Sequence, residues 1–194
     1  MASSRKERTR ERLLEAAWKR LERGDPAKLE EVGADVGVSR QAVYLHFGSR
    51  GGLLLALVAF IDEQHGLGER IGAALAHDDP ARQLEAVLAL SADYQAEIHG
   101  VAMALLRLSD ADADVRAAFD DRMQVRRHGL RAIVERLAAA GRLKKEWSHD
   151  EIVDALWEAS APTSYHHLVV ERGWKPARYA EWLVWLARSF TKKR

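Results

Sequence analysis

Cysteine is absent from the 194 residues. That excludes a disulfide framework, a thiolate nucleophile and a cysteine-bound zinc. Only four prolines interrupt the chain, and its stretches rich in Ala, Leu, Arg and Glu favour helix. Long apolar runs are missing as well. The longest, Leu53 to Ile61, is nine residues, where a membrane span needs roughly 20. The charged run Arg5 to Arg12 leads into an amphipathic stretch, not an apolar signal core. We therefore expect a soluble, cytoplasmic protein without a membrane partner. Charge of one sign is also missing, since 30 Lys+Arg stand against 29 Asp+Glu, a net of +1. This excludes a chain that is basic overall but leaves room for a local patch. With 47% hydrophobic and 30% charged residues, the composition is globular and not disordered.

What the chain does have is helical periodicity nearly throughout. Leu13, Leu14, Ala17, Trp18 and Leu21 form a first stripe, and Gly24 ends it. Asp25-Pro26 reads as a cap and first position of a second helix, carrying Leu29, Val32 and Val36. Ser39 caps a third, from Arg40 to His46, and Gly48-Ser49 recaps a fourth that begins near Arg50. Gly66, Gly68 and Gly72 soften the far end of that helix. Asp78-Asp79-Pro80 opens the next, and Gly100 is expected to interrupt it before a short helix through Leu108. A long helix follows from about Asp112 to Ala140. Ser148 and Glu151 form a capping box for a helix reaching Arg172 with a kink at Pro162. Ile152 to Ala161 is apolar nearly all round, so that helix should be buried on two sides. The last helix starts near Pro176. The expected fold is all-α, with about nine helices and no strand.

The second and third helices are two turns each, joined by Val36-Gly37-Val38-Ser39. Glycine in a tight connection between two short amphipathic helices is a helix-turn-helix signature, with Val38 expected to bury between them. Val43 and Phe47 would face the core. Arg40, Gln41, Ala42, Tyr44, Leu45 and His46 would then form an outer face. Arg forks onto guanine, Gln onto adenine, and small apolar side chains meet thymine methyls. Tyr44, His46 and Arg50 suit phosphate oxygens. Charge fits this placement: residues 1–60 carry 11 basic against 8 acidic side chains, and the remainder 19 against 21.

The stretches Thr9 to Ala17, Leu29 to Val32, Val36 to Tyr44 and His46 to Leu53 together resemble the TetR family of bacterial transcriptional regulators. The resemblance covers about residues 8–60. It implies an N-terminal three-helix DNA-binding domain, residues 1–50, and a C-terminal helical ligand-binding and dimerisation domain, residues 51–194. It places Ser39, Arg40 and Gln41 at the start of a recognition helix, and Tyr44, His46 and Arg50 on the DNA backbone. The family usually has Thr or Ser at the start of helix two. Here Ala27 and Lys28 stand there, so Lys28 takes the phosphate contact and Asp25 the cap. The family usually has Lys-Glu after the serine that opens helix four. Here it is Arg50-Gly51-Gly52, and each glycine loosens that turn by about 1 kcal/mol relative to Ala.

No catalytic constellation, metal-ligand spacing or cofactor motif is present, and we expect a protein that is not an enzyme, with no cofactor and no metal. Leu88, Ser91, Tyr94, Gln95, His99, Met103, Met123 and Trp157 mix apolar, soft and polar side chains in the manner of a small-molecule cavity. Leu156, Leu168, Trp182 and Leu186 lie on apolar faces of the last two helices and are the expected dimer seam. One short recognition helix covers few base pairs, so a homodimer on a near-palindromic operator is expected. The function expected is a repressor released from double-stranded DNA by a small hydrophobic or amphiphilic ligand. The alternative is a dimeric DNA-binding regulator without such a ligand, controlled by a protein partner or by concentration.

Overall fold

The computed structural model describes residues 5–192. Among these there is no strand; one isolated antiparallel bridge joins Leu143 and Thr191. The helices are α1 Arg5–Glu22, α2 Leu29–Val36, α3 Arg40–Phe47, α4 Arg50–Gln64, α5 Leu67–Leu75, α6 Pro80–Ser109, α7 Ala113–Ala139, α8 His149–Ala159, α9 Pro162–Tyr165 and α10 Pro176–Phe190. Between the last two, His166–Glu171 is a π-helical segment. The residues group into two compact units. One runs up to His65 and includes Gly100–Arg122; the other is Gly66–His99 with Met123 onward. No single described helix is long and apolar enough to cross a membrane.

In the first unit α1 buries Leu13, Leu14, Ala17 and Leu21 completely. The expected start of the second helix at Pro26 is corrected by the structure. Ala27 is fully buried, its carbonyl accepts from Arg50 Nε at 3.2 Å, and α2 begins only at Leu29 with no side-chain cap at Lys28. Lys28 N donates to Pro26 O at 3.0 Å, a tight turn about buried Ala27 that delays the helix, so Asp25 does not stand at its cap. α2 ends on Gly37 at φ 75°, and Val38 N donates back to Gly33 O at 2.9 Å. Val38 is only half-buried. The tight crossing of α2 and α3 rests on Gly33, where a Cβ would stand 2.7 Å from the Val38 carbonyl and 3.1 Å from Val43 Cγ2.

Helix α4 leaves α3 at 64° and buries Leu53, Leu54, Leu57, Phe60 and Ile61. Ser49 Oγ accepts from Gly52 N at 3.0 Å. The two glycines behind it do more than loosen a turn. A Cβ at Gly52 would lie 2.1 Å from the Phe47 carbonyl, and one at Gly51 3.2 Å from Asp114 Oδ1. At Gly52 the backbone approach excludes any side chain, whereas at Gly51 the exposed Asp114 side chain would have to give way slightly.

The second unit has its core between α6, α7, α8 and α10, with Leu84, Leu88, Val134, Leu137, Ile152 and Leu183 among its closed side chains. α5 is a separate helix, opened by Gly66 at φ 59°, where the sequence pattern indicated only a soft end. The expected break at Gly100 does not occur, and α6 runs 30 residues through it. One exposed glycine costs about 1 kcal/mol, which a long packed helix tolerates. At Pro162 the chain breaks more sharply than a kink, because a residue before proline is driven out of the α region. Ala161 is extended at ψ 155°, ending α8 at Ala159. α8 is also not apolar all round, since Asp154 and Glu158 keep one face exposed.

These contacts predict opposite effects for two glycine substitutions. Gly52→Ala is expected to lower stability by about 1–3 kcal/mol through overpacking. Gly100→Ala meets nothing within 4 Å and is expected to raise it by about 0.5–1 kcal/mol. Thermal or urea unfolding of the two variants checks the sign of each.

Candidate nucleic-acid interface

The third helix is built to show one face. Ser39 is extended and its Oγ accepts from Ala42 N at 3.2 Å, satisfying an orphan amide of the first turn. Val43 is fully buried. With that residue inward, Arg40 and Gln41 are exposed, Tyr44 is 56% and Leu45 76% exposed, and Ala42 is half-buried. The helix thus brings together Arg40, Gln41, Ala42, Tyr44 and Leu45 on one accessible surface. Ser39 spends its hydroxyl on the cap.

The cations around this face differ in their freedom. Arg40 meets Glu30 at 3.8 Å, and Lys28 meets Glu31 at 3.8 Å, both loose surface pairs. The Arg10 guanidinium lies 5.4 Å above the Phe47 ring, so the start of α1 packs over the end of α3. His46 is half-buried there, and its Nδ1 is buried without a hydrogen-bond partner. Burial holds its pKa below the ordinary value, and the neighbouring charges of Lys6 and Arg10 lower it further. Arg12 donates to the Val36 carbonyl at 2.9 Å. Arg20 forks onto Asp35 at 2.6 and 3.0 Å and reaches Glu31 at 2.9 Å, an arrangement that holds the Asp35 carboxyl below its ordinary range. These two arginines fasten α1 to α2.

Arg50 does not stand on the outer face. Its side chain is 17% exposed; it pairs with Asp112, donates to the Ala27 carbonyl, and has one η-nitrogen buried without a partner. Asp112 lies 62 positions along the chain, and sequence reading carried no signal for it. Gly33 was likewise missed, although a glycine inside an amphipathic eight-residue helix was a usable signal of close approach.

The residues expected to line a cavity divide between the units. Met103 belongs to the first; Leu88, Ser91, Tyr94, Gln95, His99, Met123 and Trp157 belong to the second. Leu88 is fully buried core, and Ser91 Oγ donates to Val87 O at 2.9 Å. Tyr94 is buried at 6% exposure. Gln95 is 4% exposed; its Nε2 reaches Ser160 O at 3.4 Å and its Oε1 has no hydrogen-bond partner. Trp157 Nε1 donates to Met123 O at 3.0 Å. His99 Nε2 lies 3.1 Å from His166 Nδ1, with the rings stacked. Arg126, not anticipated, donates to Ser160 O at 2.6 Å and to Ser160 Oγ at 2.9 Å. Of the expected seam, Leu156 is completely buried in the core of its own unit. Leu168, Trp182 and Leu186 are half-buried, and Trp185 on the same helix is 62% exposed.

Residues 13–57 match the family model of bacterial regulatory proteins, tetR family. The segment from α1 into α4 that carries the α3 face is thus similar to the regulators of that family. Structural relatives extend the likeness of fold to the whole chain. NalD of Pseudomonas aeruginosa, the secondary repressor of the MexAB-OprM multidrug efflux pump, is 20% identical with TM-score 0.73, over 98% of this chain and 99% of that one. FadR from Bacillus subtilis, solved with stearoyl-CoA, is 14% identical with TM-score 0.72, over 91% of this chain and 96% of that one. A transcriptional regulator from Saccharomonospora viridis, solved with choline, is 14% identical with TM-score 0.69, over 96% and 100% of the two chains. A comparison with curated proteins finds no match. The stretch matched by the family model includes the capped, outward-facing α3.

His46 generates a pH prediction. A histidine whose folded pKa lies below its unfolded value of about 6.5 contributes no penalty above that pH and destabilises the fold as pH falls below it. The His46→Gln variant is therefore expected to lose less stability than wild type between pH 7 and 5, as read by urea unfolding at each pH.

Proposed function

We propose that the protein is a dimeric repressor that reads a near-palindromic operator with α3 and leaves it when a small hydrophobic or amphiphilic ligand binds. The observation that carries the DNA reading is the α3 face. Ser39 spends its hydroxyl inside the helix and Val43 points inward, while Arg40, Gln41, Tyr44 and Leu45 stand out together. Arg40 and Gln41 are long, bidentate-capable and sit where a recognition helix enters the major groove. Tyr44, His46 and Lys28 supply backbone contacts. Dimerisation through α10 is supported by Trp185, exposed beside half-buried Trp182 and Leu186. The N-terminal domain is taken as residues 1–50 and the ligand-binding and dimerisation domain as 51–194.

The ligand reading is supported by relatives of the same fold that hold stearoyl-CoA or choline. In this chain the second unit offers Gln95 Oε1, buried and without a hydrogen-bond partner, while Nε2 of the same amide reaches Ser160 O at 3.4 Å. A buried acceptor left open suits an amphiphile with one polar donor. A ligand shifts DNA affinity only by binding one arrangement better than the other.

Selection of bound sequences from random duplex DNA tests the function directly. Two inverted half-sites are expected; enrichment of no sequence refutes the reading, and a single half-site refutes the dimer. On the selected operator, Arg40→Ala is expected to cost about 1–3 kcal/mol and to relax the base preference. Unchanged preference in a repeat selection excludes Arg40 as a base reader. Titrating the complex with acyl-CoA and quaternary-ammonium amphiphiles is expected to weaken DNA binding about 5- to 150-fold for the right class.

A further inference from the structure

Arg50, expected on the DNA backbone, is turned inward by the geometry. Its guanidinium joins three separate pieces of the first unit. It starts α4, its Nε donates to the carbonyl of Ala27 just before α2, and a terminal nitrogen pairs with Asp112 in the α6–α7 connection. Asp112 is itself held, because its Oδ1 accepts from Asp114 N at 3.1 Å and Val115 N at 3.2 Å and so caps α7. Gly51 lets this connection approach, since a Cβ there would meet Asp114 Oδ1 at 3.2 Å. A second pair, Arg122 with Asp62 at 3.1 Å, joins α7 to α4 further along. The remaining η-nitrogen of Arg50 is buried, so a DNA phosphate cannot reach it while the Asp112 pair stands.

We propose that Arg50 is a positioning residue acting through Asp112. The pair latches the starts of α2 and α4 to the α6–α7 connection and thereby sets the attitude of α3 between them, and Arg50 is not a phosphate contact. This rests on the DNA-binding reading above. It makes a loop more than 60 positions away part of the DNA-binding machinery. The orientation of α3 follows from its two neighbours, because α2 meets it at Gly33 and α4 at Gly52. A guanidinium suits the task, since its planar fork serves a carbonyl and a carboxylate at once.

The test is a double-mutant cycle on the full chain, with the selected operator and an unrelated duplex of equal length as probes. Asp112→Asn keeps the α7 cap, because the amide oxygen still accepts. It is expected to lower operator affinity about tenfold, as is Arg50→Ala, and the double variant Arg50→Ala/Asp112→Asn stays within about threefold of either single one. The dependence of log affinity on log salt keeps the wild-type slope in every variant. A phosphate contact behaves in the opposite way. Asp112→Asn then frees the guanidinium and leaves affinity equal or higher, Arg50→Ala weakens binding as much in the Asp112→Asn background as in wild type, and the slope falls by about one in variants lacking Arg50. Any of these results overturns the proposal. Hydrogen exchange of the α2 and α3 amides without DNA reads the latch independently of any operator. Faster exchange in Asp112→Asn is expected, and unchanged exchange refutes the latch. Failure of the wild type to bind DNA counts instead against the functional reading.

Discussion

The carbonyl of Val38 lies 2.7 Å from the place where a side chain would begin at residue 33. Helix α2 can therefore cross α3 only because Gly33 has none. This approach decides which side of α3 is inside. With Val43 pressed into the crossing, the opposite side must face out, and it carries Arg40, Gln41, Tyr44 and Leu45. The same rule recurs at the next corner, where Gly52 admits the Phe47 carbonyl. Two missing side chains thus hold α3 between its neighbours.

The basic residues of the first unit divide into two kinds. Arg12 and Arg20 are spent inside the unit, on the Val36 carbonyl and on the carboxylates of Asp35 and Glu31. Arg50 is spent on Ala27 and Asp112. Arg40 and Lys28 are only loosely paired with Glu30 and Glu31 and remain largely in solvent. A charge count cannot separate the two kinds, since a guanidinium committed to a carboxylate and one left in solvent are identical as letters.

In the second unit the buried polar groups answer to the end of α8. Helices leave their last carbonyls without internal partners, and here the break before Pro162 exposes them early. Ala159 O accepts from the Tyr179 hydroxyl at 2.6 Å, Glu158 O from Ser164 at 2.8 Å, and Ser160 O from Arg126 and Gln95. Burial pushes the Tyr179 phenol well above its ordinary pKa, so it stays a neutral donor at this position. Side chains that looked like ligand anchors in the sequence are in part servants of this helix terminus.

Local chemistry made much of the protein legible beforehand. The stripe of α1, the Ser39 cap, the Gly37 turn and the Ser148–Glu151 capping box involve residues within a few positions of each other, where spacing alone fixes the contact. The outward set on α3 follows from the same short-range geometry. The late start of α2 was not legible, because Ala27 is held by burial and by a side chain 23 positions away. Leu156 on an apolar face read as a seam, yet the fold closes over it, and only the packing of whole helices decides which apolar face meets its own chain. Arg50 read as a surface cation until Asp112 was brought beside it. Sequence determines which contacts are possible between near neighbours; tertiary structure selects partners among distant ones, because that choice depends on how all the helices pack at once.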